Sequence, residues 1–156
     1  MTAVERLWID HVIWTRQVIV SSLAKLPDVQ TALDRLLYNQ EQLGAVFGST
    51  RLATLLREHI LISVALVGAA ARGDRARASA ENTRWHRNAD ELAAELHRLK
   101  PGLAEEDLRA MLYKHLALTT REATERIVGR WPNDVRVFDD VVTQAIEMAD
   151  ALQRGR

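Results

Sequence analysis

The chain has 156 residues, with 21 lysines and arginines, 21 aspartates and glutamates, and no cysteine. Its zero net charge argues against a nucleic-acid or polybasic membrane partner, since both need an excess of positive charge. The lack of cysteine excludes disulfides, thiolate catalysis and cysteine-ligated zinc. The length suits one domain, residues 1–156. We expect it in the cytoplasm, because no apolar segment follows a basic start and the run Ile60–Ala71 is too short to span a bilayer.

Helical periodicity fills the chain, and no stretch alternates with the period of a strand. Thr2 and Glu5 form a capping box for the first helix. The pairs Gly48–Ser49 and Gly73–Asp74 each end one helix and cap the next, and Pro101–Gly102 marks another break. Six helices are therefore predicted, over about 3–25, 28–47, 50–72 and 75–99, from about 104 onwards, and over about 131–153.

The connections between these helices are short, so consecutive helices should run antiparallel. We predict an all-α, up-down bundle of six helices, built as three helical hairpins over about 3–47, 50–99 and 104–153. Three similar segments fall in the first, third and fifth helices: LWIDHVIWT (7–15), LLREHILIS (55–63) and MLYKHLALT (111–119). They indicate a pseudo-threefold internal repeat that places one histidine in each hairpin, at His11, His59 and His115.

Each repeat histidine shares a helix face with apolar residues, which predicts that it points into the core. A hydroxyl lies one turn further along each face, at Thr15, Ser63 and Thr119. An amide follows each histidine by 29 positions, on the second helix of the same hairpin, at Gln40, Asn88 and Gln144. Because each pair is centred on a predicted turn, the histidines and amides should lie at one height near the middle of the bundle.

Three histidines from three helices can bind zinc, copper, iron or nickel and leave a position open for water or substrate. The amide oxygens or the hydroxyls could accept the second N–H of each ring. The pattern thus favours a transition-metal site, which could be catalytic. Two alternatives stay open. One is a metal-free protein that uses the same cavity to bind a small molecule or for acid/base chemistry. The other is a structural or oligomerising bundle whose polar layer only sets the helix register.

Three carboxylates are further candidates. Asp10 and Glu58 each precede a repeat histidine and could either hydrogen-bond to the layer or simply flank the core. Glu122 lies seven residues past the third repeat histidine on the same face, which makes it a candidate general acid/base or a partner for Arg16 or Arg121. The sequence has no Glu-x-x-His pair, no H-E-x-x-H and no phosphate-binding glycine loop, so di-iron carboxylate, zinc-protease and nucleotide sites are disfavoured.

The segments LWIDHVIWTR, LLREHI, NQEQLG and HLALT, with MADAL near the end, resemble a group of small bacterial all-helical proteins of uncharacterised function. The shared segments have the forms DHxxWTR, LLREHI and HLxLT and span most of the chain. The resemblance implies an all-helical fold and carries over no site residues. The loop at Phe47–Ser49 is shorter here than in those proteins, which weakens a functional role for this loop.

Overall fold

The computed structural model describes residues 1–154, and in this range it contains six α-helices and no strand. The prediction of an all-helical fold is confirmed, and the helix bounds lie within a few residues of those expected. The helices are α1 (Ala3–Leu23), α2 (Val29–Val46), α3 (Thr50–Ala71), α4 (Arg75–Leu99), α5 (Glu105–Ile127) and α6 (Trp131–Arg154).

The helix ends follow the predicted capping residues. Thr2 and Glu5 form the capping box of α1, with each side chain accepting a hydrogen bond from the other's backbone N–H. Gly48 and Gly73 end α2 and α3 with φ angles of +66° and +73°, a left-handed conformation that side chains disfavour. Ser49 and Asp74 then cap α3 and α4, each accepting a hydrogen bond from a backbone N–H three residues on.

The helices are arranged as a closed ring. Each helix packs against its neighbours in the chain, and α6 packs against α1, whereas α1 and α3 touch only slightly. Short turns join successive helices that pack against each other, so these helices run antiparallel and the α1–α2, α3–α4 and α5–α6 turns lie at one end, which we call the hairpin-turn end. The other connections and the start of the chain lie at the opposite end. These contacts agree with a bundle.

The two halves of the ring are filled differently. The largest apolar cluster lies towards the end opposite the hairpin turns and contains large side chains such as Trp8, Leu52 and Leu96. Towards the hairpin-turn end, residues such as Ser63, Val67 and Ala123 line two cavities between the helices. The interior towards the hairpin-turn end therefore retains space that the opposite half does not.

The most apolar helix is α3. Within residues 1–154 it alone is long and apolar enough to cross a membrane on length and composition, with a mean hydropathy of 1.6 over its best window. A core helix of a bundle has the same character. In the structure α3 packs between α2 and α4.

Candidate functional site

Three repeat histidines meet inside the ring. His11, His59 and His115 are only 2%, 3% and 4% exposed. The ring centroids of His11 and His115 are 5.5 Å apart, and those of His59 and His115 are 6.0 Å apart. We call these three side chains the histidine layer. Its members come from α1, α3 and α5, as expected from the spacing of the repeat segments.

One amide is hydrogen-bonded to its histidine. Nδ1 of His59 lies 3.0 Å from Oδ1 of Asn88, and Nδ2 of Asn88 donates to the backbone oxygen of Leu55 at 3.0 Å. Because the Nδ2 group is used by a backbone carbonyl, the amide oxygen must face the ring. His59 is therefore the donor at Nδ1, and its Nε2 carries the lone pair.

The other two amides lie beside their histidines without a hydrogen bond to them. Burial lowers the pKa values of His11 and His115, and Gln40 and Gln144 are close enough to oppose part of this decrease. Even so, the two ring Nδ1 atoms and the two amide oxygens have no hydrogen-bond partner. Nε2 of Gln144 donates to the backbone oxygen of Met111 at 3.1 Å, which leaves its oxygen as the atom available to the ring.

In the α1–α2 hairpin, one amide lies beside the histidine and a different amide donates to the backbone of the first helix. Asn39, which the sequence analysis did not single out, donates to the backbone oxygen of Leu7 at 3.0 Å. Gln40 donates to Oδ1 of Asn39 at 3.0 Å and to the backbone oxygen of Leu36 at 2.8 Å. The signal that could have revealed Asn39 is its place beside Gln40 on a buried stretch of α2.

All three histidines are held neutral. Burial lowers the pKa of His11 well below its usual value, and the neighbouring rings of His115 and His59 lower it further. Burial and the ring of His115 lower the pKa of His59 to about 3. Burial lowers the pKa of His115 to about 4. A neutral imidazole has one N–H and one lone pair, so each ring can act as a ligand at neutral pH.

The three hydroxyls are turned towards their own helices. Thr15 and Thr119 donate to the backbone oxygens of the histidines four residues before them, at 2.7 and 3.0 Å. Ser63 donates to the backbone oxygen of Ile60 at 2.7 Å. No hydrogen bond joins these hydroxyls to an imidazole within residues 1–154. They line the two cavities next to the layer instead.

The carboxylates do not contact the histidine layer. Glu58 is exposed and lines a surface groove. Asp10 is half-buried and pairs with Arg35 at 3.3 Å. Their placement beside a histidine in the sequence therefore does not bring them to its ring.

Glu122 belongs to a separate buried group. Oε1 of Glu122 lies 2.9 Å from Arg16, one of the two partners considered for it. Arg16 also binds both carboxylate oxygens of Asp134, and Arg126 binds Asp134 at 2.9 Å. We call these four side chains the ionic cluster. Burial raises the pKa of Glu122, although Arg16 opposes this effect, and Oε2 of Glu122 has no hydrogen-bond partner.

In the described part of the chain, no three His, Cys, Asp or Glu side chains already stand in an arrangement that would hold a metal ion. The histidine layer is thus a set of neutral rings whose Nδ1 atoms lie beside amides, with α1, α3 and α5 each providing one ring. Comparisons with protein families, curated proteins and solved structures found no match for this chain.

Proposed function

We propose that the histidine layer binds one first-row transition-metal ion through the Nε2 atoms of His11, His59 and His115. The observation that carries this proposal is that the other ring nitrogen, Nδ1, lies beside an amide oxygen in each histidine. Nδ1 of His59 donates to an amide oxygen, and the Nδ1 atoms of the other two rings lie beside amide oxygens that lack partners. Metal-ligating histidines usually donate their second N–H to such an oxygen.

The chemistry of the rings narrows the choice of ion. Neutral imidazoles suit zinc, copper, iron and nickel, whereas calcium and magnesium prefer oxygen ligands. Neighbouring ring centroids lie 5.5 and 6.0 Å apart, so small side-chain rotations would direct the Nε2 atoms to a shared ion. Three protein ligands leave a further position for water or substrate, which is the pattern of catalytic zinc sites. Glu122 lies in the ionic cluster, so the proposed site uses the histidines alone.

We also propose that the three hairpins are copies of one structural unit. In each hairpin, an amide of the second helix donates to the backbone oxygen four residues before the histidine. The donor and acceptor pairs are Asn39 with Leu7, Asn88 with Leu55, and Gln144 with Met111. This shared hydrogen bond supports the repeat, and in the second and third hairpins it would hold the amide where the ring needs an acceptor.

Metal binding is the direct test. Protein produced without a histidine tag, stripped with chelator and titrated with Zn²⁺ or Co²⁺, should bind one ion per chain. His59→Ala should abolish this binding, and Asn88→Leu should weaken it by about ten- to a hundredfold, because His59 would lose its acceptor. His86→Ala is the matched control, since His86 bonds a backbone oxygen of its own helix. Binding that survives His59→Ala would contradict the proposal.

A metal-free polar layer that sets the helix register is the second candidate function. It is favoured by the fact that no ready-made ligand group stands among residues 1–154. In this case the rings and amides would hydrogen-bond to one another. Each hairpin would then have an amide that bridges its histidine and a backbone oxygen, as Asn88 does between His59 and Leu55.

His115→Leu separates the two candidates. If the layer is a metal site, we expect the variant to lose bound metal and to be at least as stable as the wild type in chelator, because polar groups held for a ligand reduce stability. If the layer only sets the register, the variant should instead be destabilised by about 1–3 kcal/mol, since Oε1 of Gln144 would lose its only prospective donor. Urea unfolding of both proteins in chelator measures the difference. Destabilisation in a wild type that binds no metal would exclude the proposed site.

A further inference from the structure

The interior between the histidine layer and the hairpin-turn end contains two linked cavities. The first lies among α1, α2, α3 and α5, and the second among α3, α4 and α5. Ser63, Val67 and Thr119 line both of them, so the cavities adjoin one another. Each has room for at least one water molecule. Trp85 lines the second cavity, and its ring lies 5.1 Å from that of His59, which connects this space to the histidine layer.

A path from solvent leads to these cavities. A surface depression at the hairpin-turn end is lined by Leu23, Ala71 and Trp131, which come from three different helices. Ile127 lines both this depression and the second cavity, and it is 37% exposed. Ile127 therefore lies between the surface depression and the second cavity.

The lining selects against charge. No charged side chain lines either cavity, so a charged ligand would be buried without a counter-ion. Apart from the hydroxyls and Trp85, the walls are apolar. A ligand that fills this space must therefore be neutral and mainly apolar.

Several hydroxyl groups of the lining can accept a hydrogen bond from a ligand. The hydroxyl protons of Thr15, Ser63 and Thr119 are already donated to backbone oxygens, so these groups offer only lone pairs to the cavities. A ligand hydroxyl can donate to one of these lone pairs.

From these contacts we infer that the linked cavities bind a small neutral alcohol, with its hydroxyl near Ser63 and Thr119 and its alkyl chain towards Val67. The inference deepens the proposed function, because a ligand placed here adjoins the histidine layer and could fill the open position of a bound ion. It does not need the metal for its own binding, so the two proposals can be tested separately.

The test uses metal-free full-length protein in chelator with 1-butanol as the probe. NMR titration should give saturable shifts at the backbone amides of Ser63 and Thr119 and at the ring of Trp85. Methyl propyl ether, which has a similar size but no hydroxyl proton, should bind about tenfold more weakly, the cost of one hydrogen bond. Butyrate should not bind. If 1-butanol causes no saturable shift at these groups, or if the ether or butyrate binds as well as the alcohol, the inference is wrong.

Two variants fill the space. Ala123→Leu adds volume to the second cavity and should abolish binding of 1-butanol, whereas Ala65→Leu makes the same change outside both cavities and should not affect it. Val67→Phe fills the region shared by the cavities and decides the question if Ala123→Leu does not fold. Unchanged binding in a folded filling variant would place the ligand elsewhere. Binding of alcohol without metal, or of metal without alcohol, identifies which proposal has failed.

Discussion

Lowering the pH from 7 to 5 should destabilise the folded protein by roughly 5 kcal/mol, because three buried histidines must remain neutral while those of the unfolded chain become charged. In the fold, burial depresses the pKa of His59 to about 3 and of His115 to about 4, and that of His11 also falls well below its usual value. The unfolded chain therefore binds more protons than the folded one below about pH 6.5. Stability is fully present above this pH and is lost as the pH falls towards the folded pKa values.

Urea unfolding in chelator at several pH values measures this loss. His115→Leu should remove about a third of the pH dependence, and His86→Gln, which changes a histidine outside the layer, should leave it unchanged. Burial raises the pKa of Glu122, and this group contributes with the opposite sign, so the comparison is best made above pH 5. A wild-type stability that stays constant between pH 7 and 5 would mean that the histidines are not buried in neutral form.

The helices and the placement of the histidines could be predicted because both depend on local pattern. Gly48–Ser49 and Gly73–Asp74 act within a few residues, and helical periodicity fixes which face of a helix meets the core. The positions of His11, His59 and His115 follow from that face together with short turns. The expected pairing of His59 with Asn88 follows from equal distances to the turn between them.

The remaining parts of the site depend on contacts that a pattern does not encode. Arg16 and Asp134 are 118 positions apart, and their pairing requires that α6 close the ring against α1. Asn39 belongs to the site because its side chain reaches the backbone of α1 and donates a hydrogen bond there. Glu58 follows the helical period of α3 but falls about 100° away from His59, which is enough to expose it. Whether the layer binds metal stays a prediction, because it depends on small rotations of the rings.

Within the ionic cluster, replacing Asp134 should cause a large loss of stability. This carboxylate is 1% exposed and receives hydrogen bonds from Arg16 at 2.5 and 2.9 Å and from Arg126 at 2.9 Å. Burial raises its pKa, but the two arginines outweigh this effect and hold the pKa below its usual value, so the group is charged at neutral pH. It also lies in the first turn of α6, where the helix dipole favours a negative charge.

Asp134→Asn keeps the shape of the side chain and removes its charge, which leaves two partly buried arginines facing Glu122 alone. Breaking a buried ion pair by removing one partner costs about 3–5 kcal/mol, and we expect a loss near the lower limit because the arginines retain some contact with water. Asp140→Asn, on the exposed face of the same helix, should change the free energy of unfolding by less than about 0.5 kcal/mol. Glu122→Gln should cost less than Asp134→Asn, because burial already raises the pKa of Glu122 and it accepts a single hydrogen bond. Chemical denaturation of the three variants at pH 7 measures this order, and equal stabilities for Asp134→Asn and Asp140→Asn would show that the cluster does not hold α6 against α1.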